Sequence, residues 1–366
     1  MKIAFGMIVF EGDYVLKECL EQVYPFASQI LIAEGPVKYW QDQGRMTSLD
    51  RTNEILKSFP DPENKIEITH GQFSEKDDQC KAYMDHVNDD IDFIWNLDSD
   101  EVFKSEDLES VIKFLEKEDP TSVGVQSLSF YGGFDHHLTG FEMNTDNFLR
   151  IFKYQAGSTW LTHRPPTIKY SFPDSIVKKH INSKQLYESI GFQMYHYSYV
   201  FPDQVYKKVN YYKSEVSKQN CIDNYFNEIY LPWTTGDDND KSIIESKYLG
   251  VHEFKPFSRG DCYTKKFEGQ HPESITSNMY NLKNNFISKT ISSFIPSGTA
   301  IYCLAIEESE IFNNTILNNN TLGIGIFSYL ITNLTSSDTE YSPYSSSIYI
   351  HDNIFRKSNE FYPALN

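Results

Sequence analysis

No run of Lys and Arg occurs anywhere in the 366 residues, and 33 basic side chains stand against 51 acidic ones. A formal charge of −18 with no basic cluster argues against nucleic acid as a partner, because phosphate recognition needs clustered Lys and Arg. No stretch approaches the ~18 continuous apolar residues that read as a membrane span, which leaves peripheral contact with a membrane compatible. Cysteine is scarce. Cys19, Cys80, Cys221, Cys262 and Cys303 are scattered, odd in number and without zinc-ligand spacing, so a reduced, cytoplasmic setting is the simplest reading. A signal-peptide pattern is missing too, since the apolar run Met1–Phe10 leads straight into Glu11, Gly12 and Asp13. What the chain has in quantity is Tyr and Phe, 25 and 26, which suit stacking on sugars or bases and equally suit a core. Its length allows one large domain or two ordinary ones.

The chemistry concentrates in Phe93-Ile94-Trp95-Asn96-Leu97-Asp98-Ser99-Asp100-Glu101. Phe93 to Leu97 reads as a strand buried on both faces. It stops at carboxylates. Asp98 and Asp100 have one residue between them, so at an extended strand end both point to the same side. Two such charges ~4 Å apart repel by about 4 kcal/mol at an effective dielectric of ~20. A hard divalent cation, Mg²⁺ or Mn²⁺, would relieve that repulsion. The competing reading is an acidic loop capping the helix that starts at Ser105.

The preceding residues favour the cation. Ile3–Phe10 is strand-like, and Leu16, Cys19, Leu20 and Val23 share one helix face. Ile30–Ala33 is a second strand, a helix from Asp50 carries Ile55, Leu56 and Phe59, and Lys65–Thr69 is a third strand. Cys80, Tyr83, Met84 and Val87 repeat the helical spacing before the strand ending at Asp98. This alternation predicts an α/β fold with a parallel sheet covered by helices. In such sheets ligands bind beyond the carboxyl ends of the strands, where Asp98 and Asp100 fall.

Residues 1 to about 285 resemble a glycosyltransferase of the GT-A fold, the Rossmann-like nucleotide-diphospho-sugar transferase fold, in the style of family 2. The resemblance is carried by Val9-Phe10-Glu11 after the opening strand, Ile30–Glu34, Thr47-Ser48-Leu49-Asp50-Arg51-Thr52, and Asp98-Ser99-Asp100. It implies a nucleotide-sugar donor, a saccharide or lipid-linked acceptor, and Mn²⁺ or Mg²⁺. Glu34 and Asp50 occupy the family's nucleotide-holding places, with Phe10, Glu11, Arg51 and Asp98 beside them. Phe10-Glu11 replaces the usual Asn-Glu, and an insertion with Trp40 and Arg45 separates Glu34 from Asp50. Asp100 is the first choice for direct metal ligand, with Asp98 divided between metal and ribose. His196, in the strand-like Met194–Tyr199, matches the late histidine ligand of such enzymes, or is a core histidine; His252 is second in line. Glu101 could support the ligands from behind or be simply a solvated charge, and the latter is the favoured expectation.

An inverting transferase also needs a base for the acceptor hydroxyl. In the loop Gly132–Glu142, which follows a strand at Val123–Tyr131, Asp135 and Glu142 are the candidates; a turn former and a surface residue are equally good readings of the two. Trp160–Pro166 reads as a rigid extended loop, whose Arg164 could hold a phosphate or carboxylate, although a lone Arg is more often a surface ion pair. Val205–Val216 is helical. From Gly298 the composition turns rich in Asn, Ser, Thr and Ile. There, Ile311–Ile316 and Ile350–Phe355 share a pattern that resembles rungs of an incomplete right-handed parallel β-helix. The expected organisation is therefore a transferase domain over 1–297 and a β-rich tail over 298–366. A non-catalytic carbohydrate-binding protein with a structural Asp-x-Asp is the alternative, and a hydrolase with paired carboxylates is a further one.

Overall fold

The structure is a computed structural model that describes residues 1–140, 148–173, 177–216, 221–252, 262–285, 301–304, 306–317, 324–327 and 344–356. The chain divides into two compact units, Met1–Phe286 and Ile287–Asn366.

The first unit opens with β1 (Ile3–Val9), α1 (Leu16–Val23), β2 (Gln29–Glu34), α2 (Lys38–Gln41), α3 (Thr52–Ser58), β3 (Ile66–His70), α4 (Lys76–Met84) and β4 (Phe93–Asp98). Alternation along β1 divides its side chains between two cores. Ile3, Phe5, Met7 and Val9 join Leu16 and Leu20 of α1, while Ala4 and Ile8 join Cys80, Tyr83 and Met84 of α4. That is the period-2 geometry of a strand covered on both faces. After β4 come β5 (Glu101–Val102), α5 (Ser105–Glu118), β6 (Ser122–Gly124), β7 (Gln126–Tyr131), β8 (His136–Leu138) and β9 (Leu149–Lys153). The order continues with β10 (Thr159–His163), β11 (Pro166–Lys169), β12 (His180–Ile181), α6 (Ser183–Ile190), β13 (Gln193–Tyr199) and α7 (Pro202–Tyr211). A π-helical turn over Tyr212–Val216 extends α7, and α8 (Leu231–Thr235), α9 (Asp238–Tyr248), β14 (Thr264–Lys266) and α10 (Glu273–Asn285) complete the unit.

The main sheet has the order β12-β6-β9-β4-β1-β2-β3. Strands β4, β1, β2 and β3 run parallel, and β9 pairs antiparallel with β4 and β6. This mixed α/β arrangement is consistent with the Rossmann-like sheet that the resemblance implies. A second sheet, β14-β8-β7-β13-β5, lies beyond the carboxyl end of β4 in the chain. Two expectations need correction. Val123–Tyr131 is not one strand but breaks at Val125, so that β6 joins the first sheet and β7 the second. Trp160–Pro166 is the turn and flank of an antiparallel hairpin, β10–β11, because the aromatic and β-branched residues pair where a bare loop was expected.

In the second unit β15 (Ile301–Leu304), β16 (Glu307–Phe312) and β17 (Thr315–Leu317) are followed by β18 (Ile324–Phe327), β19 (Ser346–His351) and β20 (Ile354–Arg356). They pair parallel and in order: β15 with β18, β16 with β19, β17 with β20. The two copies of the repeated pattern thus meet in register, Ile311 on Ile350 and Ile316 on Phe355. At the bend between strands, Asn353 Oδ1 accepts from the Asn314 backbone N–H at 3.0 Å and from its amide at 2.9 Å. Asn313 and Asp352, at φ 57° and 52°, occupy the left-handed region that Asn and Asp tolerate.

Candidate active site

The acidic strand end opens into a cleft of about 610 Å³, within the range of small-molecule sites. Phe10, Glu11, Asp98, Asp100, His196 and His252 all line it. Pairing explains why the histidine arrives there. Strand β5, just after Asp100, runs antiparallel to β13 with His196 opposite Glu101, and the Tyr197 N–H donates to the Asp100 carbonyl at 2.8 Å. His196 Nε2 consequently stands 3.4 Å from Asp100 Oδ1. Gln204 Nε2 donates to the other oxygen of Asp100 at 3.0 Å. Burial works against the Asp100 charge, but His196 beside it holds the carboxyl below its ordinary value and is itself raised in return.

Glu101 is not a solvated charge. It is fully buried, and Arg150 of β9, nearly as buried, binds it through Nε at 2.9 and 3.1 Å. Arg150 also reaches Asp98 Oδ2 at 2.8 Å, and Glu101 Oε2 accepts from the Asp98 backbone N–H at 3.2 Å. Burial would raise Asp98, yet Arg150, with His163 and Lys76, holds it well below the usual carboxylate range. Burial and the Asp98 charge push Glu101 up to about 7 against the pull of Arg150. Sequence reasoning missed both partners. The available signal was Arg150 itself, a lone cation in the apolar strand Leu149–Phe152, where an unpaired charge would be prohibitively costly.

The opposite end of the nucleotide candidates lies at the β1–α1 turn. Ser48, Asp50 and Thr52 each accept from one backbone N–H of that turn: Glu11 at 3.0 Å, Asp13 at 3.2 Å and Gly12 at 2.8 Å. Glu11, nearly buried and at φ 48°, pairs with Arg45 and with Lys207 Nζ at 3.0 Å. Arg45 lies 4.5 Å from the Trp40 ring, and Phe10 packs 6.1 Å from that ring. Glu34 and Asp50 do not line the cleft of Asp98. Glu34, bound by Ser48 Oγ at 2.6 Å and His70 Nδ1 at 2.9 Å, lines a neighbouring pocket of about 860 Å³ that meets the first at Gly35. Gly35 has φ 146° and no room for a Cβ against the Gly71 carbonyl, a backbone only glycine adopts readily. Asp50 lines neither pocket, and Arg51 is exposed beside Glu54. The segment from Pro36 to Met46, with α2 inside it, leads from β2 to Ser48–Thr52, which accept from the β1–α1 turn.

Asp135 stands exposed at the turn from β7 to β8 and is not one of the cleft-lining residues. Glu142 lies outside the described residues. From α7, Gln204, Lys207, Lys208 and Tyr211 line the cleft at i, i+3, i+4 and i+7, one helix face. Among the described residues no three His, Cys, Asp or Glu side chains are gathered as a preformed metal site. No helix among them is long and apolar enough to cross a membrane.

Residues 47–190 match the family model of glycosyl transferase family 2. With the sheet order, this places a GT-A-like, family 2-type domain in the N-terminal part of the chain. Among solved structures, S. aureus TarS 1–349 in complex with UDP-GlcNAc is 12% identical, with 42% of this chain and 45% of that chain covered and a TM-score of 0.30. A structure of S. aureus TarS 1–349 is 11% identical over 78% of this chain and 80% of that chain, with a TM-score of 0.33. The 4-diphosphocytidyl-2C-methyl-D-erythritol synthase of Anaerococcus prevotii is 12% identical over 52% and 82%, at 0.25. The match spans 45% of the length of the first two TarS chains. No curated protein matches the chain.

Proposed function

We propose that the chain is a metal-dependent glycosyltransferase that moves a sugar from a nucleotide-sugar donor to a saccharide or lipid-linked acceptor, in surface polysaccharide or glycan synthesis. The observation that carries this reading is that Asp98 and Asp100, at the carboxyl end of a parallel strand inside the family 2 match, line one cleft with His196, which follows the match. Carboxylate oxygens and imidazole suit Mn²⁺ or Mg²⁺. Octahedral ligands at ~2.1 Å stand roughly 3.0 Å apart, close to the 3.4 Å between Asp100 Oδ1 and His196 Nε2. Asp100 and His196 would hold the cation, and Asp98 would divide between it and the ribose. When bound, the cation stabilises negative charge developing on the departing nucleoside diphosphate.

This chain's own residues do the rest. Arg150 keeps the Asp98 carboxylate ionised and fixed in direction, and Glu101 holds Arg150 in place. Phe10 and Glu11 offer a ring face and a polar edge to the nucleoside, which extends past Gly35 toward Glu34. Asp50 and Arg51 act on the nucleotide through the turn they brace. The base assignment to Asp135 or Glu142 is supported by their place in the chain between β7 and β9. The 1–297 and 298–366 modules, with the tail as two coils of a parallel β-helix, are supported by the three parallel pairs and the Asn314–Asn353 contact. A cytoplasmic setting is supported by five cysteines outside any disulfide.

Incubating the full chain with a panel of nucleotide sugars, mixed oligosaccharide acceptors and Mn²⁺ should release nucleoside diphosphate. Metal-independent saccharide binding with no release from any donor would favour the non-catalytic alternative instead.

A further inference from the structure

We infer that Lys76, Arg164 and Lys208 form a subsite in the same cleft that binds a phosphoryl group. All three line the cleft, although they come from the first turn of α4, the β10–β11 turn and α7. They gather around two adjacent rings. Lys76 Nζ lies 5.3 Å from the Tyr211 ring, Arg164 lies 6.0 Å from Tyr211 and 5.1 Å from Tyr212, and Lys208 Nζ lies 5.7 Å from Tyr212. Ring faces offset only part of the cost of gathering like charges. Burial, followed by the Arg164 charge, lowers the Lys76 ammonium below its ordinary value.

Lys208 also donates to Ser198 Oγ and lies 4.0 Å from the Tyr199 ring, and the cations of the cleft outside the subsite are ion-paired. Arg45 and Lys207 pair with Glu11, and Arg150 with Asp98 and Glu101. Neither Lys76 nor Arg164 makes an ion pair with a described carboxylate. In a chain of charge −18, a pocket that collects surplus cations is built for an anion. A guanidinium fork with two ammonium groups suits a phosphoryl group, which offers several acceptor oxygens and more than one charge. That group could be the diphosphate of a donor or a phosphate on an acceptor. The choice between these sources rests on the transferase reading; the subsite does not.

The test is calorimetric titration of the full chain with inorganic pyrophosphate in EDTA. Binding is expected, weakened at least tenfold in Arg164→Gln and in Lys76→Gln and largely retained in Arg164→Lys. Arg164 is exposed, so its variants should fold even if Lys76→Gln does not. Displacement of pyrophosphate by nucleoside diphosphates identifies the donor as source, and simultaneous binding identifies an acceptor phosphate. Failure of pyrophosphate to bind without metal, or wild-type affinity in Arg164→Gln, overturns the subsite. Should no nucleotide sugar be consumed while pyrophosphate still binds through Arg164, the transferase reading falls and the subsite stands.

Discussion

Two groups of charges share one cleft and are built on opposite plans. Around the acidic strand end, charges are answered from within the fold: Glu101 and Asp98 by Arg150, Asp100 by His196 and Gln204. In the same cleft, Lys76 and Arg164 lie against aromatic rings and make no ion pair with a described carboxylate, although the Lys76 charge helps hold Asp98 ionised. The difference separates two tasks. Groups that must keep a fixed direction are tied down in advance, because a buried charge that loses its partner is strongly destabilising. Groups that await a ligand are left without a short ion pair, Arg164 exposed and Lys76 partly buried.

Substitution should break this contrast in a graded way. Removing the tie has the largest effect: Arg150→Met leaves Glu101 buried and unpaired, and should cost about 3–5 kcal/mol of stability in urea titrations. Replacing both partners, as Arg150→Met with Glu101→Leu, should recover much of that loss, because Glu101 is then no longer a buried charge without a partner, and Asp98, which also loses Arg150, is partly exposed in the cleft. A single-variant loss below about 1 kcal/mol would mean that the pair is incidental. A smaller, pH-dependent effect is expected at Asp13, which burial, and then the Asp50 charge, pushes up to about 6. A carboxyl raised in the folded state contributes stability up to its ordinary value of 3.8, and that stability is lost as pH rises through about 6. Asp13→Asn should therefore melt higher than wild type at pH 7, by about 2 °C, and converge with it near pH 4. Thermal melts showing the reverse trend would contradict the assigned cause. Arg164→Gln should change stability by less than about 0.5 kcal/mol, in contrast to Arg150. Least of all, a chain ending near Ser297 should keep its nucleotide affinity within about twofold, whereas an insoluble product would tie the tail to the catalytic domain.

Much of the core was legible from pattern. Period-2 burial along β1 and the spacing of Leu16, Cys19, Leu20 and Val23 are local properties of the chain, so the βα series through Asp98 could be read without coordinates. His196 was legible only as a candidate, because its place depends on β13 pairing with the two-residue strand β5. Glu101 was misjudged for a related reason. Three carboxylates in four positions look solvated until Arg150, 49 residues later, is brought alongside by β9. Lys76, flanked by Glu75, Asp77 and Asp78, resembles an ordinary helix start, and nothing local reveals that it faces a pocket. The tail is the converse case. Its repeat is local, and Ile311 and Ile350 pair as the pattern suggests, yet Ile311 is 9% exposed and Ile350 is 42% exposed, a difference that no repeat could announce.

The central claim is that Asp100 and His196 hold a cation through which the cleft binds a nucleoside diphosphate. It is tested most directly by titrating nucleoside diphosphates into wild type and Asp100→Asn, each with Mn²⁺ and with EDTA. Wild type should bind at least one of them more tightly with Mn²⁺ than with EDTA, and Asp100→Asn should lose that Mn²⁺-dependent gain while unfolding at the same denaturant concentration. An undiminished Mn²⁺-dependent affinity in the folded Asp100→Asn protein would contradict the assignment.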